Sequence, residues 1–505
     1  MRVNHPSCRI KRSRAVAGMT LRVLVAGMAG CTFITEQPEI SPERYAPPVA
    51  NQPWVPPVHT TQESAIPAAE RVPDRVPQSP PAIASTSMLT YDLAQLIEIA
   101  LANNPQTRGA WQRAQAAAAA YGASRAAYYP TVTATTPAGY TRDIRERANA
   151  TGVSKQWYAA PTLQLTYRLL DFGRRAADAE VARHQLAAAN FAFNHELQTV
   201  VFSTQRAFYA LAAAKAGVKA AEETLKLTKT DHDVAQQRVG LGLATQPELL
   251  LARARVAQAE YDLANAQLFV RQGQANLALA IGVAANTPFD VESLQNQQVP
   301  QSFGSEVEQL IAEAMRRRPD LAAQVATLNA RQAEIERARA AFTPTVDARA
   351  SYGEQLWNFQ FAGPPTQKPI QPQYTGQLTL TWELFTGFER TNQLRQAEAE
   401  RAAAAAALQA GELSAIAEVW RAYYEFVSIL KKYAYAQALL TASQESYAAN
   451  LDTYTQGLST IVELLTAERD LANGRFTLIQ STADLLTSSA AVAYAMGAIE
   501  TPRRP

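Results

Sequence analysis

The sequence predicts a membrane β-barrel continued by long α-helical rods, in a chain built twice from one design. Three observations predict it. A register of 214–215 residues relates the two halves. Short segments alternate strictly between an apolar face and a charged or polar face. Two proline-free stretches are too long for helices of a compact domain.

The repeat is read directly from matched residues. Gln95-Leu96-Ile97 with Pro105 recurs as Gln309-Leu310-Ile311 with Pro319. Arg125-Ala126-Ala127-Tyr128-Tyr129-Pro130-Thr131-Val132 recurs as Arg339-Ala340-Ala341-Phe342-Thr343-Pro344-Thr345-Val346. Arg206-Ala207-Phe208-Tyr209 matches Arg421-Ala422-Tyr423-Tyr424, and Ile281-Gly282 matches Met496-Gly497. The matched halves are 91–283 and 305–498. Each has the same order: a helix, an aromatic-Pro signal, two alternating segments, a long helix, a Gly-bearing turn and a second long helix. Proline ends a helix and favours extended chain before it, which places the switch to strand at Pro130 and Pro344.

In Thr162–Leu170, Leu163, Leu165, Tyr167 and Leu169 oppose Gln164, Thr166 and Arg168. In Gln377–Leu384, Leu378, Leu380, Trp382 and Leu384 oppose Gln377, Thr379, Thr381 and Glu383. In Thr345–Tyr352, Val346, Ala348, Ala350 and Tyr352 oppose Thr345, Asp347, Arg349 and Ser351. A period of two puts these sets on opposite faces. A soluble sandwich also alternates, but the pattern here is that of a lipid-facing strand around a wet lumen lined by Arg168, Glu383, Asp347 and Arg349. The first strand, Thr131–Tyr140, is weaker because Pro137 lies within it. Four strands cannot close a barrel, and an open sheet edge is not tolerated in lipid. Several chains must therefore pool strands, two giving eight and three giving twelve.

No proline occurs from Gly173 to Gly240 or from Gly387 to Tyr454. A helix of about 65 residues spans about 100 Å. These are rods, antiparallel to the helices that follow them, and runs such as Ala402–Ala407 permit close approach. No window reaches the roughly 18 apolar residues of a spanning helix, so membrane residence requires a barrel or an anchor.

The first 30 residues carry six basic side chains and no acid, leaving 41 basic against 45 acidic in the remainder. A mildly acidic body does not suit a nucleic-acid partner. The two cysteines, Cys8 and Cys31, are both N-terminal, so no disulfide framework is available to the body. Leu21–Cys31 reads as a signal peptide with a short apolar core. Met28-Ala29-Gly30-Cys31 resembles a bacterial lipobox, which implies cleavage before Cys31 and its acylation. Translation from Met19 would make Arg22 the positive region of a shorter signal. Residues 36–82 hold twelve of the 28 prolines, a composition that reads as an extended spacer or tail.

The expected organisation is a signal peptide (1–30), an acylated cysteine with Pro-rich linker (31–83), a first repeat (84–290), a linker (291–304), a second repeat (305–498) and a tail (499–505). No catalytic constellation, metal-ligand spacing or cofactor motif stands out. Asp171-Phe172-Gly173 mimics the kinase magnesium motif without its companions and reads as a strand-to-helix junction. Asp231-His232-Asp233 reads as a wet helix face. Beyond the leader only Met88, Met315 and Met496 remain, too few for a thioether path for soft metals.

With the duplicated order, the two X-Pro-Thr-Val junctions, Leu169–Gly173 and its counterpart Leu384-Phe385-Thr386-Gly387, and the Gly-Leu turns, residues 91–498 resemble the TolC-like outer-membrane factors. The lipobox is closer to the lipidated, OprM-type efflux members. The resemblance implies a homotrimer with one twelve-stranded membrane β-barrel and a long α-helical barrel crossing the periplasm, four strands coming from each chain. It implies a passive duct, not an enzyme, in the outer membrane, whose partners are a periplasmic adaptor, an inner-membrane pump and outer-membrane lipid. Leu241-Gly242-Leu243 and Gln456-Gly457-Leu458 match the adaptor-docking tips. Tyr454 matches the gate tyrosine and Glu463 the first gating aspartate, with Glu248 its counterpart in the first repeat. The second family aspartate falls on Thr466, a departure. A ring of Glu463 carboxylates would favour cations, although a carboxylate at such a helix start also suits the dipole without any gating role. A type I protein-secretion channel shares this architecture, and a periplasmic coiled-coil tether is the reading from a different class.

Overall fold

A computed structural model describes residues 47, 49–55, 90–147, 150–294, 306–361 and 370–499. The signal peptide, Cys31 and most of the Pro-rich linker lie outside the described residues, as do 295–305 and 500–505.

The chain enters through β1 (Thr90–Tyr91), then α1 (Leu93–Asn103) and α2 (Pro105–Arg125). β2 (Thr131–Thr135), β3 (Ala138–Arg147), β4 (Ala150–Ala159) and β5 (Thr162–Leu170) follow, then α3 (Arg174–Gly240) and α4 (Gln246–Ile281). After β6 (Asp290–Val291) the second repeat runs through α5 (Val307–Arg317), α6 (Pro319–Ala340), β7 (Thr345–Phe361), β8 (Ile370–Thr381), α7 (Glu389–Thr455) and α8 (Ile461–Ala495). The long helices α3 and α7 have 67 residues each, about 100 Å.

The strands form one antiparallel sheet in which β7 pairs with β8 along one edge and with both β5 and β4 along the other. β4 and β5 are therefore one path interrupted at Ala160-Pro161. β2 and β3 are another, interrupted around Pro137, whose ring cannot donate to the ladder. The expected first strand, Thr131–Tyr140, is thus two strands, with Ala160 N–H bonding Pro137 O (2.9 Å) across the break. Four strand paths per chain result. Two bounds differ from the sequence reading: β7 runs on to Phe361, and β8 stops at Thr381, before Trp382–Leu384.

Repeat-related residues build two midway cores. Leu96, Leu211, Leu277 and Ile281 lie in one, and Leu310, Phe426, Val492 and Met496 occupy the matching places in the other. The helix entries are matched as well. Asn104 caps α2 and its amide donates to Ala280 O (2.8 Å). Its counterpart Arg318 donates to Ala495 O (3.3 Å) and pairs with Asp320 and Glu418, each at 2.7 Å. β1 and β6, which the sequence reading did not anticipate, pair in parallel, and Lys215 Nζ holds Asp290 Oδ1 and Val291 O.

A piece of the linker seats on the body. Trp111 Nε1 and Gln115 Nε2 both donate to Pro47 O, at 2.9 and 3.0 Å. Asn194 exchanges two 2.7 Å hydrogen bonds with the Trp54 backbone, and the Trp54 ring meets Phe191 edge-on.

Four helices end in the same glycine cap. In each, a left-handed glycine (Gly242, Gly282, Gly457 or Gly497) lets its own N–H and that of the next residue reach back to the last turn. They are not equivalent under substitution. A Cβ on Gly282 would meet Asn104 Cα at 2.7 Å and Asn103 O at 2.9 Å, whereas one on Gly242 meets nothing within 4 Å. Gly242→Ala should cost about 1 kcal/mol, for the left-handed backbone alone. Gly282→Ala should cost about 3 kcal/mol, because overpacking adds to it. Thermal unfolding of the two variants in detergent checks this ordering; equal losses would contradict it.

Candidate functional site

Across β2, β5 and the adjoining parts of β7 and β8 the sheet sorts its side chains by face. The in-register sets Val132/Leu165/Ala350, Leu163/Tyr352/Tyr374 and Ala348/Leu378 share one face with Leu380 opposite Val346. Leu378 is 72% exposed and Leu380 66%. The opposite face carries Thr131, Thr133, Gln164, Thr166, Arg168, Asp347, Arg349, Ser351, Gln377 and Thr379. Arg168 and Asp347 lie directly opposite on β5 and β7 and form an ion pair (2.9 Å). Arg349 is exposed between Thr166 and Gln377, and Glu383, also exposed, lies beyond the last residue of β8. An exposed leucine and aromatic face opposite a charged one has no place in a soluble sheet, and in a membrane barrel it meets lipid. Among the described residues no helix is long and apolar enough to cross a membrane.

Sheet and rods meet at the two strand-to-helix junctions expected from the sequence, and what sequence reasoning missed is the arginine that locks each one. Arg175, in the first turn of α3, donates to Asp171 Oδ2 (2.9 Å), Arg168 O (2.8 Å) and Leu169 O (3.3 Å), with its guanidinium over the Tyr128 ring. Arg390 repeats this in α7, reaching Ala341 O, Glu383 O and Thr386 Oγ1 over the Phe342 ring. Each arginine satisfies carbonyls left where a strand stops and a helix begins. Both joints turn through two left-handed residues, Phe172-Gly173 and Gly387-Phe388. A phenylalanine with positive φ is strained. The rings it presents are exposed, and with Tyr129, Trp382 and Phe385 they gather at one end of the sheet. A girdle of aromatic rings there, with the polar tips of Tyr129 and Trp382 among them, suits a lipid–water boundary. The matching spacing of Arg175 and Arg390 was the available signal.

At the far end, Leu241, Gly242 and Leu243 form the turn between α3 and α4, and Gln456, Gly457 and Leu458 the turn between α7 and α8. Leu241, Leu243 and Leu458 are exposed at both tips. Glu248 and Glu463 are the third residues of their helices and close capping boxes with Thr245 and Thr460. Thr466 bonds its hydroxyl to Val462 O (2.7 Å). Tyr454 is buried, 1% exposed. Above its ring lies Arg238 (4.7 Å), which donates to Tyr454 O and Thr455 O and also to Leu243 O on its own turn. This one side chain ties the first tip to the second.

The Asp231-His232-Asp233 reading is corrected. Asp233 is exposed, but Asp231 is fully buried and accepts from Tyr447 Oη (3.1 Å). Successive helical residues face different sides, and position 231 falls on the side turned toward α7.

A duplicated sheet with a lipid-facing side, continued by paired helical rods, defines an outer-membrane channel protein. The chain belongs to the outer membrane efflux protein family, whose profile matches residues 96–283 and 310–498. Protein CyaE of Bordetella pertussis is 30% identical over 413 residues, covering 80% of this chain and 84% of the relative. The toluene efflux pump outer membrane protein TtgC of Pseudomonas putida is 25% identical over 487 residues, covering 95% of each. The solved structure of VceC from Vibrio cholerae matches with a TM-score of 0.67 at 21% identity, covering 80% of this chain and 96% of that one. The fold is TolC-like, the location is the outer membrane, and the role is that of an efflux channel.

Arg238→Ala should free the two tips from each other. A cation–π contact and charge-assisted hydrogen bonds together contribute about 2 kcal/mol. Hydrogen exchange in residues 236–243 and 452–460 should quicken by roughly thirtyfold, while the midway cores remain unchanged. Unaltered exchange at both tips would show that Arg238 does not hold them.

Proposed function

We propose that this chain is the outer-membrane subunit of a tripartite efflux system, a passive trimeric duct gated at its periplasmic tips by an adaptor protein. The observation that carries the reading is the unbroken passage, made twice per chain, from a lipid-facing sheet into rods of about 100 Å. A periplasmic tether has no use for the exposed face bearing Leu378 and Leu380. The relative named for toluene efflux favours small-molecule cargo over protein secretion. In this reading Cys31 is acylated and anchors the chain, with residues 31–83 as its linker. An inner-membrane pump supplies the energy.

Ring closure follows from the repeat. Within the chain α6 packs against its own long helix α7 and against the preceding one, α3. Its counterpart α2 packs along α3. The missing neighbour is α7 of an adjacent copy, where Leu413, Ile416, Trp420 and Tyr424 are exposed. The sheet edges at β2 and β8 obey the same rule, since neither can remain unpaired in lipid. In-chain, β5, the last strand of the first repeat, pairs with β7, the first long strand of the second. Carried through the repeat, Thr166 opposite Arg349 becomes Thr381 of one copy opposite Thr135 of the next. Three copies give twelve strands, with Arg168, Asp347, Arg349 and Glu383 lining the lumen.

The gate comprises Tyr454, Glu463 and Glu248. Leu241-Gly242-Leu243 and Gln456-Gly457-Leu458 form the adaptor-docking tips. Exposed leucines beside left-handed glycines support this, because they offer an apolar knob on a fixed turn.

Purified full-length protein in planar bilayers should give discrete, mostly closed channels, and Glu463→Ala should open them more often and lower their cation selectivity severalfold. Channels indifferent to that change would remove Glu463 from the gate and leave the duct. A Thr135→Cys/Thr381→Cys chain, oxidised in the outer membrane, should run as covalent trimers while each single variant stays monomeric. Directly opposed residues of an antiparallel pair lie about 5 Å apart, within disulfide reach. Absence of cross-linking would reject the register.

A further inference from the structure

The seam between the two helical hairpins contains a buried polar layer that the channel reading does not use. About three turns above the tips, Asp231 of α3 points at α7 and α8. It is 0% exposed, and Glu468 of α8 is 1% exposed. Tyr447 of α7 donates to both Asp231 oxygens, at 3.1 and 3.3 Å. Glu468 Oε1 has Arg255 of α4 at 3.4 Å, while its Oε2 is buried with no partner. Arg475 of α8 reaches Glu223 of α3 at 3.7 Å and leaves Nη1 buried and unpaired. Toward the tips, His232 and Asp233 follow on α3 itself, and Tyr454 on α7 lies within the field of Asp231, Arg238 and Glu248. Apolar packing encloses the layer, with Ala235, Ala252, Ile461, Leu464 and Leu471 among its walls.

Two carboxylates from different hairpins thus share one apolar seam with one close cation. A buried carboxylate without full hydrogen bonding favours its neutral form. We propose that Asp231 and Glu468 form a proton-operated catch between the hairpins: protonated, the seam is shut; deprotonated, it loosens and favours tip opening. The structural part stands on this geometry, and the link to opening rests on the channel reading.

The direction follows from burial. Desolvation pushes Asp231 up to about 6, against the Tyr447 hydrogen bond, and Glu468 up to about 7, against Arg255. Both acids hold protons more tightly in the shut seam than in water. The shut state therefore binds more protons, and its advantage is full below the ordinary carboxylate range and shrinks as pH rises through about 4 to 7.

The test uses full-length protein in detergent from pH 5 to pH 8. It measures hydrogen-exchange protection of residues 225–240 and 443–475, with the intrinsic pH dependence of exchange divided out. Protection at the seam should fall by about tenfold or more across this range and stay constant at the midway cores. Asp231→Asn/Glu468→Gln mimics the protonated pair and should hold protection level. Tyr447→Phe removes a hydrogen bond to the charged form of Asp231 and should move the transition to higher pH, which gives a second readout if the double variant does not fold. Constant wild-type protection, or a double variant that retains the fall, would overturn the catch. Bilayer recordings of the same proteins separate the two claims. Opening that rises with pH in wild type alone supports the link to the tips, and opening indifferent to pH rejects it. A pH-dependent seam in a protein that never conducts would reject the duct and keep the catch.

Discussion

Hydrocarbon offers no partner to a backbone N–H or C=O, and the rest of this architecture follows from that. The polar groups along β7 are paired on both sides within the chain, but those at the free edges of β2 and β8 are not. Folding alone cannot remove these edges, because four strand paths are too few to close on themselves. Each unpaired group would be expensive in lipid, so the chain is an arc of a larger ring. The duplication makes such a ring economical: in the proposed trimer, the strand pairing that joins one repeat to the next inside the chain would also join one copy to another.

The same constraint shapes the joints. Where a strand leaves lipid and a helix begins, neither ladder satisfies the last carbonyls. Arg175 and Arg390 fill both vacancies from within the helices. Their guanidinium groups rest on Tyr128 and Phe342, so charge, ring and strained turn form one rigid elbow. Below it, the midway cores set the spacing of the rods, with Gly282 against Asn104 and Gly497 against Arg318 at repeat-related places.

Much of this was legible because its causes are local and periodic. Alternation in Thr162–Leu170 reports directly on two environments, and the stretch forms a strand over that full span. Proline at 130 and 344 ends the preceding helix through its own covalent geometry. The parts that were not legible depend on the third dimension. Pro137 was read as weakening a strand, whereas it divides one, because β5 and β4 accommodate the break. Trp382 continues the alternation in sequence but leaves the ladder to donate its ring N–H to Phe342 O. Asp231 stands beside His232 and Asp233 in a polar run, and only the position of the second hairpin shows that it is buried. Arg238 looked like any basic residue near a helix end, and its partners lie more than 200 residues away in the chain.

The tips show how the two halves differ in spite of their common design. Glu248 and Glu463 are both engaged in capping their own helices, so each has a local reason to be where it is. The tie between the hairpins comes instead from Arg238, and it acts in one direction only. Its repeat counterpart is Thr453, whose hydroxyl is engaged locally with Ala449 O, Asn450 O and Ser459 Oγ. The first hairpin therefore reaches across to the second, and at the matching position the second carries no arm of its own. On the flank that faces the first hairpin it is held by Arg238 and by the polar layer at Asp231 and Glu468. Either tie joins the two hairpins of one chain, and at the tips it is the asymmetry between residues 238 and 453 that makes the first hairpin the one that supplies it.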